Sequence, residues 1–338
     1  QDECDCAVRP LFASRKESDF SFVNTPQYKV LDFDGPLFSE YLRALLAGEA
    51  ESASFRLTKR ALAQKEAKLS VLLAALDKFG IVYDLVLADD FDLSAINDRP
   101  LLRDYLSEYW AEGNGEYRQL LFYKNPEKDK ELEEISQGII INRLVDQAEL
   151  AKDGQAYRNM FVTAPTGAGK SLLFQLPALY LARNYSMLTI VVSPLISLMR
   201  DQVRHLQSQG IREAIFLNSD ISHEDRDARI EAIRQGKYSI VYMSPEMLLN
   251  SIQIRDVIDE RHLGLVVIDE AHTVATWGKD FRSDYWFLGD FFRKVRRGGK
   301  DFPIACFTAT AVLSGAEDTV SQTLEILGVD NPIIYFGN

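Results

Sequence analysis

From about residue 160 onward, short β-branched apolar runs alternate with amphipathic stretches of helical length. The runs are FVTA, TIVVS, EAIFL, SIVYM, GLVVID, IACFTA and IIYF. Continuous apolar runs of four to six residues, each followed by a helix-length segment, predict strands buried on both faces and joined by crossover helices, which is a parallel sheet. Residues 155–338 therefore read as one doubly wound α/β domain. The first 125 residues follow another pattern. Leu- and Ala-rich helical periodicity covers Leu37–Ala47 and Phe55–Lys78, a strand is predicted at IVYDLVL, Asp89 and Asp90 make an acidic turn, and a further helix is predicted near Leu101–Trp110. This predicts a smaller mixed α+β domain over 1–125. The charged segment KNPEKDKELEE opens a hinge and entry helix over 126–154.

Composition changes this picture little. At 338 residues the chain has length for two domains, and no apolar run approaches the roughly 20 residues of a membrane helix. That favours a cytoplasmic protein with no membrane partner. A chain beginning with Gln rather than Met reads as a fragment. Charge adds more: the net −12 is concentrated at the front, with 18 Lys and Arg against 28 Asp and Glu in residues 1–150, and only −2 over the rest. An acidic total argues against a broad polyanion-binding surface, yet it leaves room for a local basic groove in the second half. Cys4 and Cys6 lack the further ligands a zinc site needs, and Cys306 lies in an apolar run and reads as packing. Arg56, Lys59 and Arg60 form a basic cluster that reads as a solvated helix face, and Arg293, Arg296 and Arg297 read the same way near a helix C-terminus, with DNA phosphate contact as the alternative.

Two motifs carry chemistry. FVTAPTGAGKSLLF puts a glycine-containing turn between a strand and a helix, so the backbone N–H groups of Thr166, Gly167, Ala168 and Gly169 can wrap a phosphate chain at a helix N-terminus. Lys170 would reach the β- and γ-phosphates and Ser171 would ligate Mg²⁺; the usual first glycine of such loops is Ala164 here. About a hundred residues later, Asp269 and Glu270 close an apolar run. An Asp at a strand's carboxyl end can hold Mg²⁺, and a neighbouring Glu can orient and deprotonate the attacking water, the organisation of γ-phosphoryl hydrolysis.

APTGAGKS, the tetrad Asp269, Glu270, Ala271, His272 and the run FTATA together resemble the first motor lobe of superfamily 2 helicases of the DEAH type. HTVATWGKDFRSDY, VVSPLISLMRDQV, the LNS at 217–219 and YMSPEML narrow the resemblance to RecQ-type DNA helicases, over roughly residues 137–338. The resemblance implies a RecA-like P-loop NTPase fold, ATP and Mg²⁺ as cofactors, and a single-stranded or forked DNA partner tracked from 3′ to 5′. It places Lys170, Asp269, Glu270 and His272 in the catalytic set and Gln137 at the adenine. It assigns Ser193, Pro194, Arg200, Asn218, Ser219, Ser244 and Pro245 to the DNA backbone. Trp277, Phe281 and Arg282 become the aromatic-rich strand detector, in which each stacked base contributes about 1–3 kcal/mol. Thr308 and Thr310 couple nucleotide state to lobe movement. The resemblance further implies that these residues alone, without a second lobe and its arginines, hydrolyse ATP slowly. An ATP-gated nucleic-acid sensor or assembly factor, recruiting a partner through the acidic N-terminal domain, stays open, as does an RNA-directed motor.

Overall fold

The computed structural model describes residues 20–23, 27–28, 30–33, 38–48, 52–88, 97–110, 115–124, 131–218, 220–277, 284–297, 300–313, 318–329 and 332–337. The chain divides into two compact units, Gln1–Ser94 and Ala95–Asn338.

The first unit runs β1 (Val30–Asp32), α1 (Phe38–Leu46), β2 (Ser52–Thr58), α2 (Lys59–Lys78) and β3 (Val82–Ala88), with the three strands parallel in the order β1-β2-β3. Residues 55–58, predicted as the start of a helix, are the second half of β2. Their alternation places Ala53, Phe55 and Leu57 in the core against Leu62, Leu69, Leu73 and Leu76 of α2, whose spacing makes one apolar stripe. Arg56 accordingly sits on a strand and shares no helix face with Lys59 and Arg60. Phe33, Phe38 and Phe55 pack edge to face, with successive centroids 4.9 and 5.9 Å apart.

The second unit begins earlier than the sequence pattern suggested. Helix α3 (Pro100–Tyr109) and the antiparallel hairpin β4 (Gln119–Tyr123) and β5 (Leu132–Ser136) belong to it, the division falling between Ser94 and Ala95. The tie is polar: Arg99, next to α3, pairs with Asp146 at 2.7 Å and with Glu149, both on α4 (Gln137–Lys152). There follow β6 (Met160–Thr163), α5 (Lys170–Tyr185), β7 (Leu188–Val192), α6 (Ile196–Ser208), β8 (Ala214–Leu217), α7 (His223–Arg234) and β9 (Ile240–Met243). Helices α8 (Pro245–Asn250) and α9 (Ile252–Glu260) lead to β10 (Leu263–Asp269), then α10 (His272–Trp277), α11 (Asp284–Arg297), β11 (Ile304–Thr308), α12 (Thr319–Leu327) and β12 (Ile333–Phe336). All seven predicted strands form one parallel sheet in the order β12-β6-β11-β10-β7-β9-β8. Every residue of β6, β7, β9, β10 and β11 is buried, as expected of strands covered on both faces. No helix among the described residues is long and apolar enough to cross a membrane.

Two backbone features set up the carboxyl edge of this sheet, where open α/β sheets hold their ligands. Gly167 and Gly169 have φ of +83° and +78° in the turn after β6. Glu270, directly after β10, adopts φ +50°, a left-handed conformation unusual for a residue with a side chain.

Candidate nucleotide and nucleic-acid site

The turn after β6 is held from below. Gln137, the first residue of α4, is buried; its Nε2 donates to Ala168 O at 3.0 Å and its Oε1 accepts the Arg118 N–H at 3.1 Å. A Cβ added to Gly169 would stand 2.8 Å from that Nε2 and displace the Gln137 amide, while the φ of +78° by itself favours glycine there. Arg118, which the sequence did not mark, also sends Nη1 to Gly167 O at 3.4 Å. The Tyr117 ring packs so close to α4 that a Cβ on Gly138 would fall 2.5 Å from it, and burial pushes its phenol up to about 12. Gln137, expected at the adenine, is buried with its amide bonded to Ala168 O and to the Arg118 N–H, so hairpin, helix and loop form one support.

Lys170 folds onto the loop, donating to Ala164 O at 2.8 Å and Pro165 O at 3.1 Å. Burial lowers its pKa despite the nearby charges of Glu270 and Asp269. Beside it, the Ser171 hydroxyl accepts from Gln202 Nε2 of α6 at 3.2 Å. Gln202 Oε1 in turn accepts from Gln175 Nε2 at 2.6 Å, which also donates to the Tyr242 hydroxyl at 2.9 Å. None of Gln175, Gln202 and Tyr242 stood out in the sequence, because nothing local connects residues from α5, α6 and β9.

Asp269 is 7 % exposed, and its pKa is pushed up to about 6, first by burial and then by the charge of Glu270, against the Glu270 N–H bond to Oδ1 at 3.0 Å and the charge of Lys170. A desolvated carboxylate beside a second one is a site that a divalent cation relieves. The left-handed turn at Glu270 points its carbonyl into α10, where it accepts from Thr273 N at 2.9 Å and Thr273 Oγ1 at 2.8 Å. His272 Nδ1 lies 2.9 Å from Thr308 Oγ1 and 3.4 Å from Glu270 Oε2. Since the Thr308 hydroxyl donates its one proton to Thr310 O at 3.0 Å, His272 Nδ1 carries the hydrogen that Thr308 accepts. The structure therefore joins Glu270, His272, Thr308 and Thr310.

Register extends the site sideways. Ile268, Val192, Met243 and Leu217 are in register across β10, β7, β9 and β8. The residues one step further along are Asp269, Ser193, Ser244 and Asn218. They form a row along the sheet edge about 14 Å long, three strand spacings. Ser193 Oγ and both amide atoms of Asn218 are buried without a hydrogen-bond partner among the described residues. Ser244 caps α8, accepting from Met247 N at 3.4 Å, and Pro245 is that helix's first residue. Ser244 also lines a cavity of about 770 Å³ together with Ile196, His223, Arg226 and Met247. Pro194 follows Ser193 in the row's loop, and Arg200, half-exposed on α6, lies 4.0 Å from Asp220 and over the Phe216 ring.

Ser219, Phe281, Arg282, Cys4 and Cys6 lie outside the described residues, as does the side chain of Trp277, which ends α10. The basic face read on α11 is corrected. Arg296 is buried, donating from Nη2 to Phe302 O at 2.9 Å and stacking on the Phe302 ring at 4.8 Å, because the strand entry around Phe302 folds back against it. Arg293 pairs with Asp290 on the surface.

The donor set fits a triphosphate with a divalent cation: loop N–H groups at a helix N-terminus, one lysine, one hydroxyl and one buried Asp. Two protein ligands suit Mg²⁺, which keeps most of its waters. Comparison with known proteins agrees with this chemistry. The chain is 42 % identical over 158 residues to ATP-dependent helicase SGS1 of Saccharomyces cerevisiae, covering 46 % of this chain and 11 % of that protein. It is 38 % identical over 169 residues to ATP-dependent DNA helicase RecQ of Bacillus subtilis, covering 50 % and 27 %, and 40 % identical over 177 residues to the RecQ of Synechocystis, covering 52 % and 34 %. The chain thus spans between about a tenth and a third of the length of these relatives. Residues 145–319, just over half of the chain, match the DEAD/DEAH box helicase family. The chain belongs to that family.

Proposed function

We propose that the chain carries the ATP-binding motor lobe of a RecQ-type DNA helicase, in which Mg²⁺-dependent ATP hydrolysis is coupled to a single strand of DNA. The observation that carries this reading is the unbroken row Asp269, Ser193, Ser244, Asn218, which runs from the acid beside the phosphate loop and includes Ser193 and Asn218, whose side chains are buried without partners among the described residues. Similarity to helicases named as DNA-directed supports DNA over RNA.

On nucleotide binding, Lys170 leaves the Ala164 and Pro165 carbonyls for the β- and γ-phosphates, while the N–H groups from Thr166 to Gly169 wrap the chain. Ser171 and Asp269 would hold Mg²⁺, which neutralises charge developing on the phosphoryl oxygens. Glu270 takes the proton of the attacking water, and the His272–Thr308–Thr310 contact passes the state of that carboxylate to the end of β11. Ser193, Asn218, Ser219 and Ser244 bind the strand's phosphates, which gives affinity without sequence reading. Trp277, Phe281 and Arg282 detect the strand by stacking and charge. Forked DNA as the preferred substrate and a protein partner for the acidic first unit belong to the same proposal.

The test is ATP turnover with single-stranded DNA, duplex DNA and RNA in parallel, joined to a strand-displacement assay. Stimulation by single-stranded DNA with displacement is the expected result, and Lys170→Ala lowers turnover on the order of a hundredfold or more. Stimulation by RNA alone sinks the DNA assignment, and DNA-stimulated turnover without displacement turns the protein into a sensor.

A further inference from the structure

Gln202, Gln175 and Tyr242, a hydrogen-bonded chain that starts at Ser171, have no place in the reaction as described above, and Gln175 and Tyr242 are nearly closed to solvent. We propose that Gln202 is a positioning residue for the Ser171 hydroxyl, and that Gln202, Gln175 and Tyr242 reverse their hydrogen bonds together, so that the strand row and the cation site read each other. The inference rests on Ser171 being the cation-ligating hydroxyl.

The argument is one of donors and acceptors. Ser171 Oγ now accepts from Gln202 Nε2. A hydroxyl oxygen is the better cation ligand when its own proton is given to an acceptor, since donation raises the electron density of the lone pair turned to the cation. The acceptor within reach is Gln202 Oε1, brought round by rotating the amide through half a turn, which hardly changes its shape. That rotation cannot occur alone. Gln202 Oε1 is held by Gln175 Nε2, so turning Gln202 sets two NH₂ groups against each other unless Gln175 turns as well. Gln175 Oε1 then faces the Tyr242 hydroxyl, which must change from acceptor to donor. Burial raises the Tyr242 pKa, so the hydroxyl keeps the proton it has to donate, and the charge of Asp269 reaches it too. In a buried chain, a bond left pointing the wrong way costs more than turning all three, which makes the reversal concerted.

The far end of the chain reaches the strand row. Tyr242 is in register with Val191 and Phe216, each two residues before a member of the row, and Ser244 follows Tyr242 by the same interval. Displacement of Met243 and Ser244 by a bound strand therefore moves the Tyr242 hydroxyl with them, because Tyr242 and Met243 end β9 and Ser244 follows directly as the cap of α8.

The experiment titrates Mg²⁺ against the protein with a fluorescent ATP analogue, with and without a single-stranded oligonucleotide. Gln202→Met, of similar length but without hydrogen bonds, raises the Mg²⁺ midpoint about tenfold, the effect of one lost buried hydrogen bond, while nucleotide binding in EDTA stays as in the wild type. Gln202→Glu, which can only accept, keeps the low midpoint. Tyr242→Phe stays within about twofold of the wild-type midpoint without oligonucleotide, but the oligonucleotide no longer lowers it. An unmoved midpoint in Gln202→Met, equal damage from Gln202→Glu, or an oligonucleotide response that is missing from the wild type or kept in Tyr242→Phe overturns the relay. A wild-type protein with no Mg²⁺-dependent nucleotide binding instead overturns the phosphate-loop reading on which the relay rests.

Discussion

The two ends of the carboxyl edge treat their polar groups in opposite ways. At the phosphate loop, Lys170 is bonded to Ala164 and Pro165, Ser171 to Gln202, and Gln137 to Ala168. At the strand row, Ser193 Oγ and the Asn218 amide are buried with nothing to bond among the described residues. The loop must therefore exchange existing bonds to take a ligand, which lowers its net gain but keeps it closed to adventitious anions. A ligand that bonds Ser193 Oγ or the Asn218 amide breaks no bond to another described residue.

Asp269 stands between the two ends, and changing it gives the largest effect on the comparison. Its folded pKa of about 6 is raised above that of the unfolded chain, so the native state binds more protons than the unfolded state between about pH 4 and 6. The contribution of this group to stability thus falls as pH rises through that window, by about 3 kcal/mol for a shift of two units. Asp269→Asn is expected to be more stable by up to that amount at pH 7 and no more stable at pH 4, while losing Mg²⁺-dependent tightening of nucleotide. Urea unfolding at the two pH values measures the first and a Mg²⁺ titration the second. Equal stabilisation at both pH values would mean that Asp269 is charged and comfortable in the fold.

Asn218→Leu sharpens the contrast at the other end. Replacing a buried amide that has no partner among the described residues by an apolar group of similar volume removes a cost of about 1–3 kcal/mol, so the thermal midpoint is expected to rise while single-strand affinity falls. A drop in stability would show that the amide has a partner in the fold. The smallest expected effect is at Thr308→Val, which keeps the shape and deletes the bonds to His272 and Thr310. A loss of about 1 kcal/mol is expected, with DNA stimulation of turnover reduced more than basal turnover. Equal loss of both rates would confine Thr308 to a structural role.

Much of this fold was legible because the motor sheet is buried on both faces. Runs such as TIVVS and GLVVID have no polar alternation, and the phosphate loop has a fixed order of glycine, lysine and hydroxyl between strand and helix. In β2, SASFRLT alternates small and polar residues with apolar ones next to a long helix, and the stronger helical periodicity of the neighbour absorbed it. The division between the units was misplaced because the Arg99 contacts with Asp146 and Glu149 join residues more than 40 apart, which no local composition reveals. Arg296 misled for a related reason, since a cation on an amphipathic helix reads as solvated until the backbone that accepts its bonds comes into view. The glutamine and tyrosine chain beneath Ser171 gave no signal, because each member alone is an ordinary core or surface residue.

The left-handed Glu270 bears on how such a protein would fare under selection for robustness alone. A side chain in that backbone region costs about 1 kcal/mol per residue, and glycine there would be free of the penalty. Glu270→Gly would relieve that cost while removing the carboxylate proposed to take the water's proton, so a laboratory screen for heat tolerance alone would favour the loss of that carboxylate.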